Sequence, residues 1–170
     1  MATLTPRSSR CELRGPLPPI PAALPKVGLR IGVDLNPLDV CDPEAVAWLK
    51  ALVWPDETDR LDLLQSAVGL VRAEPPQLLG GDAFALLPTV LSELSPDFTA
   101  CVVRAHTPGL SQERLQSLLT EHSLSRELFL IRLGGAGQTE MRLSRFHEGR
   151  QNEELLAACD AHGEWLQWYV

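Results

Sequence analysis

Residues 27–39 read Val-Gly-Leu-Arg-Ile-Gly-Val-Asp-Leu-Asn-Pro-Leu-Asp, and this stretch decides the fold class. Residues 27–35 form a short, mainly apolar run that leads directly into polar side chains and a proline. That order predicts a buried β-strand that carries polar side chains at its carboxyl end. Ligands of open α/β sheets bind beyond the carboxyl ends of the strands, so Asp34, Asn36 and Asp39 are the first candidate binding residues.

Four helices are predicted after this strand, each from a start signal and apolar residues spaced three or four apart. The first begins at Asp42, which is followed by Pro43 at the first helical position. The other three begin near residues 55–57, at Asp82 and at Ser111.

Further strands are predicted between and after the helices. Residues 98–105 have the continuous β-branched character of a strand buried on both faces. The remaining runs lie at residues 11–14, 77–79, 127–133, 140–146, 155–159 and 164–170, and the last two are predicted to form a β-hairpin. Helices that alternate with strands and end in antiparallel strands predict an α/β fold whose sheet has a mixed edge.

Length and composition predict one globular domain after an extended N-terminal segment. The chain has 170 residues, of which 45% are hydrophobic and 22% charged. Residues 1–26 hold six of the 14 prolines and are expected to be extended, whereas residues 27–170 are expected to form the domain. The apolar runs are shorter than the ~18 residues that a bilayer helix needs, so we expect no membrane partner and a cytoplasmic location.

Charge and cysteine spacing exclude several classes of protein. The net charge is −7, and residues 31–100 carry three bases against twelve acids. Since nucleic-acid affinity comes largely from phosphate neutralisation, no nucleic-acid partner is expected. The four cysteines form no C-x-x-C pair, so we predict reduced, mostly buried thiols and no zinc site.

Each candidate binding residue has a structural alternative. Asp34 could accept hydrogen bonds from the two vicinal hydroxyls of a ribose, or it could belong to a turn at Asn36 with Asp39 as an end cap. Asp82 could meet a ligand or could only cap a helix. Two further candidates, His106 and Thr107, follow the strand at residues 98–105 and could serve proton transfer or local structure.

Other motifs are excluded. Pro37 and Leu38 interrupt the acidic stretch where an EF-hand needs a ligand, so no calcium loop is expected. Residues 134–137, Gly-Gly-Ala-Gly, are followed by a strand rather than a helix, which predicts a turn instead of a phosphate loop. No Walker lysine loop, G-x-S-x-G elbow or H-E-x-x-H pair is present.

Residues 32–40 (GVDLNPLDV), together with residues 48–55 (WLKALVWP), resemble a bacterial family called domain of unknown function twenty-three thirty-two. The fold of that family is similar to that of S-adenosylmethionine-dependent methyltransferases. The resemblance therefore implies a three-layer, mostly parallel Rossmann-like sheet with an antiparallel C-terminal hairpin. It also implies that S-adenosylmethionine is the cofactor, with Asp34 at its ribose, Asp82 at its adenine amino group, and His106 and Thr107 near its methyl donor.

One departure from the family bears on activity. Longer members carry a strand and loop of the form E-x-G-A-S-A-G-L-N-L, and this chain has only ten residues before Cys11. In a methyltransferase sheet that strand is central, so its absence predicts unpaired strand edges and no autonomous catalysis. Pairing of an exposed edge with a second copy or a partner chain is one expectation. A methyltransferase completed by a missing segment, or a fragment of a longer reading frame, are the alternatives.

Overall fold

The computed structural model describes residues 11–23, 25–105, 107, 109–134, 139–161 and 163–170. These residues divide into two compact units. Among the described residues, the first unit spans residues 27–86, and the second combines residues 11–26 with residues 87–170. The predicted division into a segment 1–26 and a domain 27–170 stays a prediction, because residues 1–10 lie outside the described part.

The described residues form eight strands and four helices. In chain order they are β1 (Glu12–Arg14), β2 (Ile31–Asp34), α1 (Pro43–Ala51), α2 (Thr58–Ala73), β3 (Gln77–Gly80), α3 (Ala83–Glu93), β4 (Ala100–Ala105), α4 (Gln112–His122), β5 (Leu128–Gly134), β6 (Thr139–His147), β7 (Arg150–Cys159) and β8 (Trp165–Trp168). All four predicted helices are present, and so are the short strands predicted at residues 11–14 and 77–79. The α/β class is confirmed.

The first unit is built on the parallel pair of β2 and β3. Its first helix begins as the sequence predicts, because Oδ1 of Asp42 accepts a hydrogen bond from the backbone nitrogen of Glu44 at 2.9 Å. Pro43 occupies the first helical position, where a missing N–H costs nothing. Farther along this unit, α2 starts at Thr58 without a side-chain cap.

The second unit contains a six-stranded sheet in the order β1-β8-β7-β6-β5-β4. Two of its strand pairs are parallel, β1 with β8 and β4 with β5, and the other three are antiparallel. The predicted C-terminal hairpin of β7 and β8 is confirmed. In place of one mostly parallel sheet, the described strands form this mixed sheet and the separate pair of β2 and β3. The larger sheet is mixed because β5, β6, β7 and β8 follow one another without the intervening helices that parallel neighbours need.

The core of the second unit lies between α4 and one face of the sheet. Leu115 and Leu119 of α4 are buried, and so are Leu128, Leu130 and Phe146 of the sheet. These five side chains are at most 2% exposed, so they are the ones whose truncation would remove most apolar contact.

The strand predicted to be buried on both faces is exposed on one of them. In β4, Ala100 is buried, whereas Val103 is 63% exposed. Within its sheet β4 pairs only with β5, and α4 packs on the opposite face from Val103. That prediction is therefore wrong for the described residues, because continuous β-branched residues do not reveal how many layers cover a strand.

The hairpin of β6 and β7 was not predicted. Its turn consists of Glu148 and Gly149, which both have positive φ, at 50° and 71°. Two such residues between paired strands form a type I′ turn, which sequences more often signal with Asn-Gly or Asp-Gly. Ser123 holds this turn: its carbonyl accepts from the nitrogen of Glu148 at 3.1 Å, and its Oγ from that of Gly149 at 3.0 Å.

All four cysteines are free, but only Cys159 is buried. The prediction of mostly buried thiols is therefore wrong for Cys11, Cys41 and Cys101, which lie at the surface. No helix in the described ranges is both long and apolar enough to cross a lipid bilayer.

Candidate functional site

Asp34 and Asp82 lie at the same end of the β2 and β3 pair. Asp34 is in register with Gly80, and the backbone nitrogen of Gly81 donates to the carbonyl oxygen of Asp34 at 2.8 Å. Asp82 follows Gly81 directly and precedes α3. Asp34 is the last residue of β2 and Asp82 lies two residues after β3. Because the strands are parallel, both acids lie at the carboxyl ends of this small sheet, as the sequence predicts.

The carboxylates after β2 also shape the loop that they belong to. Oδ1 of Asp34 accepts from the nitrogen of Asn36 at 2.8 Å, and Oδ1 of Asp39 accepts from the nitrogen of Cys41 at 2.8 Å. Both bonds are of the Asx-turn kind, which was the structural alternative for these residues. The side chain of Asn36 donates and accepts no hydrogen bond within the described ranges and is exposed, as Asp34 and Asp39 are.

Asp82 is the N-cap of α3. Its Oδ1 accepts from the nitrogens of Phe84 at 2.6 Å and Ala85 at 3.3 Å. This is the structural role expected of an acid at a helix start. Asp82 is exposed, and its Oδ2 has no hydrogen-bond partner among the described residues, so one carboxylate oxygen is open to a ligand.

Of the two candidates after β4, Thr107 belongs to the second unit. His106 lies outside the described residues, so its predicted role stays a prediction. The hydroxyl of Thr107 donates to the carbonyl oxygen of Ala105 at 3.0 Å. Nη2 of Arg104 donates to the carbonyl oxygens of Thr107 at 3.3 Å and Leu110 at 2.9 Å, which fixes this loop to the sheet.

Sequence reasoning missed a charged cluster in the second unit. Arg104 of β4, Arg132 of β5 and Arg142 of β6 lie in register on three neighbouring strands, and we call them the arginine row. The available signal was an arginine inside each of three otherwise apolar or alternating strands, although β6 carries a second one at Arg145. Two carboxylates, Glu140 and Glu153, pair with members of the row.

The ion pairs of the arginine row are partly enclosed. Nη2 of Arg132 donates to both carboxylate oxygens of Glu153, at 3.1 and 3.2 Å. Arg142 donates from Nη1 to Glu153 at 3.3 Å and from Nε to Glu140 at 2.9 Å. The hydrogen bond to Glu140 raises the pKa of Arg142 above its ordinary value, and the opposing effect of desolvation is smaller. The buried hydroxyl of Ser144 donates to Glu153 at 3.0 Å, which fixes this carboxylate in place.

A shallow depression of about 520 Å³ lies elsewhere in this unit. It is lined by polar residues of α4 and by Gln151, and it contains none of the predicted site residues. Across the described ranges, no group of three or more His, Cys, Asp and Glu side chains could hold a metal ion.

The comparisons with known proteins place the chain in a family. The family described as "Uncharacterized protein conserved in bacteria (DUF2332)" matches residues 5–168. The chain belongs to this family. The DUF2332 match runs through both structural units and includes all six predicted site residues, so the family expectation from residues 32–40 and 48–55 is confirmed.

A curated relative shows a more limited similarity. The chain is 31% identical over 132 residues to a protein named ribonuclease HII from Nitratidesulfovibrio vulgaris. The match covers 72% of this DUF2332 chain and 59% of that protein, so the chain spans less than two thirds of its relative's length. No solved structure matches the chain.

Proposed function

We propose that this chain is a methyltransferase-like protein without autonomous catalysis that binds the adenosine half of S-adenosylmethionine at the carboxyl ends of β2 and β3. One observation carries the proposal: the parallel register of Asp34 with Gly80 brings two exposed carboxylates, Asp34 and Asp82, to one edge of a sheet.

The chemistry of these two acids suits an adenosine. A carboxylate is acceptor-only when ionised and can take hydrogen bonds from the vicinal hydroxyls of a ribose. A second carboxylate can accept from the amino group of adenine. Oδ1 of each acid is already held by backbone N–H groups, so the orientation of each free Oδ2 is restricted before a ligand arrives.

Methyl transfer is assigned to an assembly rather than to this chain alone. The 170 residues contain no string of the form E-x-G-A-S-A-G-L-N-L, so no residue here is proposed to hold the methionine half of the cofactor. Within the described sheets β2 pairs only with β3 and β4 only with β5. Each therefore has a free edge that a strand from a further segment, a second copy or a partner chain could extend.

Calorimetry with S-adenosylmethionine, and separately with S-adenosylhomocysteine, tests cofactor binding. The wild-type chain is expected to give binding heat, and Asp34→Asn and Asp82→Asn are expected to weaken binding about tenfold or more, as loss of a charge-assisted hydrogen bond does. An asparagine oxygen can still accept the backbone hydrogen bonds, so both variants keep the local turn or cap. The matched control is Asp59→Asn, an exposed acid in the first turn of α2. Absence of wild-type binding heat at millimolar ligand would overturn the proposal.

A further inference from the structure

The positive charge of the arginine row exceeds the negative charge of the carboxylates that pair with it. Its three guanidinium groups face two carboxylates, Glu140 and Glu153, so one positive charge remains in this set. In-register neighbours on adjacent strands lie about 5 Å apart, and like charges at that spacing repel. An uncompensated cation in this position therefore raises the free energy of the folded chain unless a further anion is present.

Arg104 is the member without a carboxylate partner among the described residues. Its Nη2 donates only to backbone carbonyl oxygens, and its Nε is buried with no hydrogen-bond partner. A buried charged donor without a partner costs more than a neutral one. This arrangement favours binding of a group that brings negative charge and acceptor oxygens.

Arg132 supplies the donors for such a group. Its side chain is 15% exposed, and only its Nη2 is used in the ion pair with Glu153. The Nε and Nη1 groups keep N–H donors that no described residue accepts, and each can form a charge-assisted hydrogen bond to an oxygen of a bound oxyanion. Since Ser144 and Arg142 hold Glu153, that carboxylate orients the guanidinium of Arg132.

The position of the row also suits an anion. Arg104 and Arg132 lie near the carboxyl ends of the parallel strands β4 and β5, the end at which α/β sheets bind ligands. The hydrogen bond from Arg104 to Leu110 places the start of α4 at this end, because Ser111 is the N-cap of that helix. The positive end of the helix dipole adds to the field of the arginines.

We propose that the arginine row is an oxyanion site that binds the phosphoryl or carboxylate group of a small ligand through Arg132, with Arg104 and Arg142 supplying charge. This site lies within the second unit and does not depend on the cofactor proposal, which rests on the first.

Thermal unfolding and calorimetry with inorganic phosphate and with citrate, against sodium chloride at matched ionic strength, test the proposal. Either oxyanion is expected to stabilise the wild-type chain more than chloride does. Binding of phosphate alone assigns a phosphoryl ligand, and binding of citrate alone assigns a carboxylate ligand. An equal response to all three salts would overturn the proposal, since it would reflect screening only.

Variants with opposite expected effects separate a binding role from a structural one. Arg132→Gln is expected to weaken oxyanion binding about tenfold, since it removes the charge and the free Nε and Nη1 donors. Glu153→Gln keeps an acceptor oxygen that can still orient Arg132, and it is expected to strengthen binding because the net charge of the set rises by one. The control, Arg145→Gln, changes an arginine on the opposite face of β6 and should leave the affinity unchanged. If Arg132→Gln does not fold, the changes in oxyanion affinity of Glu153→Gln and Arg145→Gln still decide between a binding role and a structural one. Weaker binding by Glu153→Gln would contradict the proposal.

Discussion

The guanidinium of Arg126 reaches across 32 residues of sequence to the carbonyl oxygen of Leu94, which accepts a hydrogen bond from Nη1 at 3.0 Å. The same side chain donates to the carbonyl oxygens of Leu91, Ser95 and Phe98 at 2.7–3.2 Å. These carbonyls follow or belong to the last turn of α3, where helical partners are missing and the helix dipole is negative. Arg126 is therefore the C-terminal cap of α3.

Replacement of this cap should destabilise the fold. Arg126→Met keeps much of the apolar length of the side chain but removes a hydrogen bond from each of four carbonyl oxygens, of which that of Ser95 keeps the N–H of Phe98. We expect the free energy of unfolding to fall by about 3 kcal/mol, measured by urea denaturation. The control Arg150→Met, at an exposed residue, should change it by no more than about 0.5 kcal/mol. Equal effects of the two substitutions would show that the carbonyl contacts contribute little.

Two substitutions at Asp82 should separate its capping role from its proposed ligand role. Asp82→Ala removes the acceptor for the nitrogens of Phe84 and Ala85, and should lower the free energy of unfolding by about 1 kcal/mol. Asp82→Asn keeps an acceptor oxygen, so its stability should stay close to that of the wild type while cofactor binding weakens. Urea denaturation and calorimetry on the same preparations measure the two effects. A loss of stability in Asp82→Asn as large as in Asp82→Ala would mean that charge at this position matters more than the cap.

The β6 and β7 turn offers a stabilising substitution. Glu148 has a φ of 50°, which most side chains adopt at a cost, and asparagine adopts it more readily. Glu148→Asn should raise the free energy of unfolding by about 0.5 kcal/mol. Gly149→Ala should lower it by about 1 kcal/mol or more, because φ there is 71° and the new Cβ would lie 3.2 Å from Cδ2 of Leu124. Thermal melts of both variants beside the wild type test the pair, and an unchanged or lower melting temperature in Glu148→Asn would contradict the argument.

Cysteine reactivity should follow burial. Burial raises the pKa of Cys159 above its ordinary value, and the nearby Asp160 carboxylate and Cys11 add to this effect. A raised pKa leaves less thiolate at pH 8, so iodoacetamide should modify the exposed Cys41 well before Cys159. Mass spectrometry of the folded chain over time gives the order, and chemically unfolded protein is the control in which the two rates converge. Equal rates in the folded chain would be inconsistent with the buried position.

The raised pKa of Cys159 also makes the free energy of unfolding depend on pH. The folded state holds the proton of Cys159 more tightly than the unfolded state does. The contribution of the protonated thiol to the stability of the folded chain is therefore complete below the ordinary thiol pKa. It is lost as the pH rises through the folded-state value. Cys159→Ser should therefore show a smaller decline in stability between neutral and alkaline pH than the wild type, measured by urea denaturation across that range.

The local signals in the sequence predicted the elements well. Asp42 before Pro43 located α1, and the end of the apolar run at Asp34 located the carboxyl end of β2. The strand itself begins only at Ile31 and is half-buried, so the prediction of a buried strand over residues 27–35 is wrong in its start and in its burial. These signals depend on a few neighbouring residues, which is why they can be recognised without the rest of the chain. The edge shared by Asp34 and Asp82 followed from the rule for parallel strands.

The non-local features could not be predicted in the same way. The exposure of Val103 depends on which layers cover β4, and periodicity carries no information about that. The arginine row exists only because three strands align in one register, and each arginine alone looks like a surface residue. The turn at Glu148 was missed because its first residue is an unusual choice for a positive φ.

Strand β1 has a consequence for the order in which the chain folds. Glu12 pairs with Trp165, so two segments about 150 residues apart in sequence must meet before this edge of the sheet forms. The two-residue turn of β6 and β7 closes with a very short loop, whereas the pairing of β1 carries the largest loop-closure cost among the described strand pairs. During synthesis β1 leaves the ribosome first and must wait until residues 165–168 have been made. Pulse-labelling hydrogen exchange during refolding should therefore protect the amides of β6 and β7 before that of Glu12, and early protection of Glu12 would contradict this order.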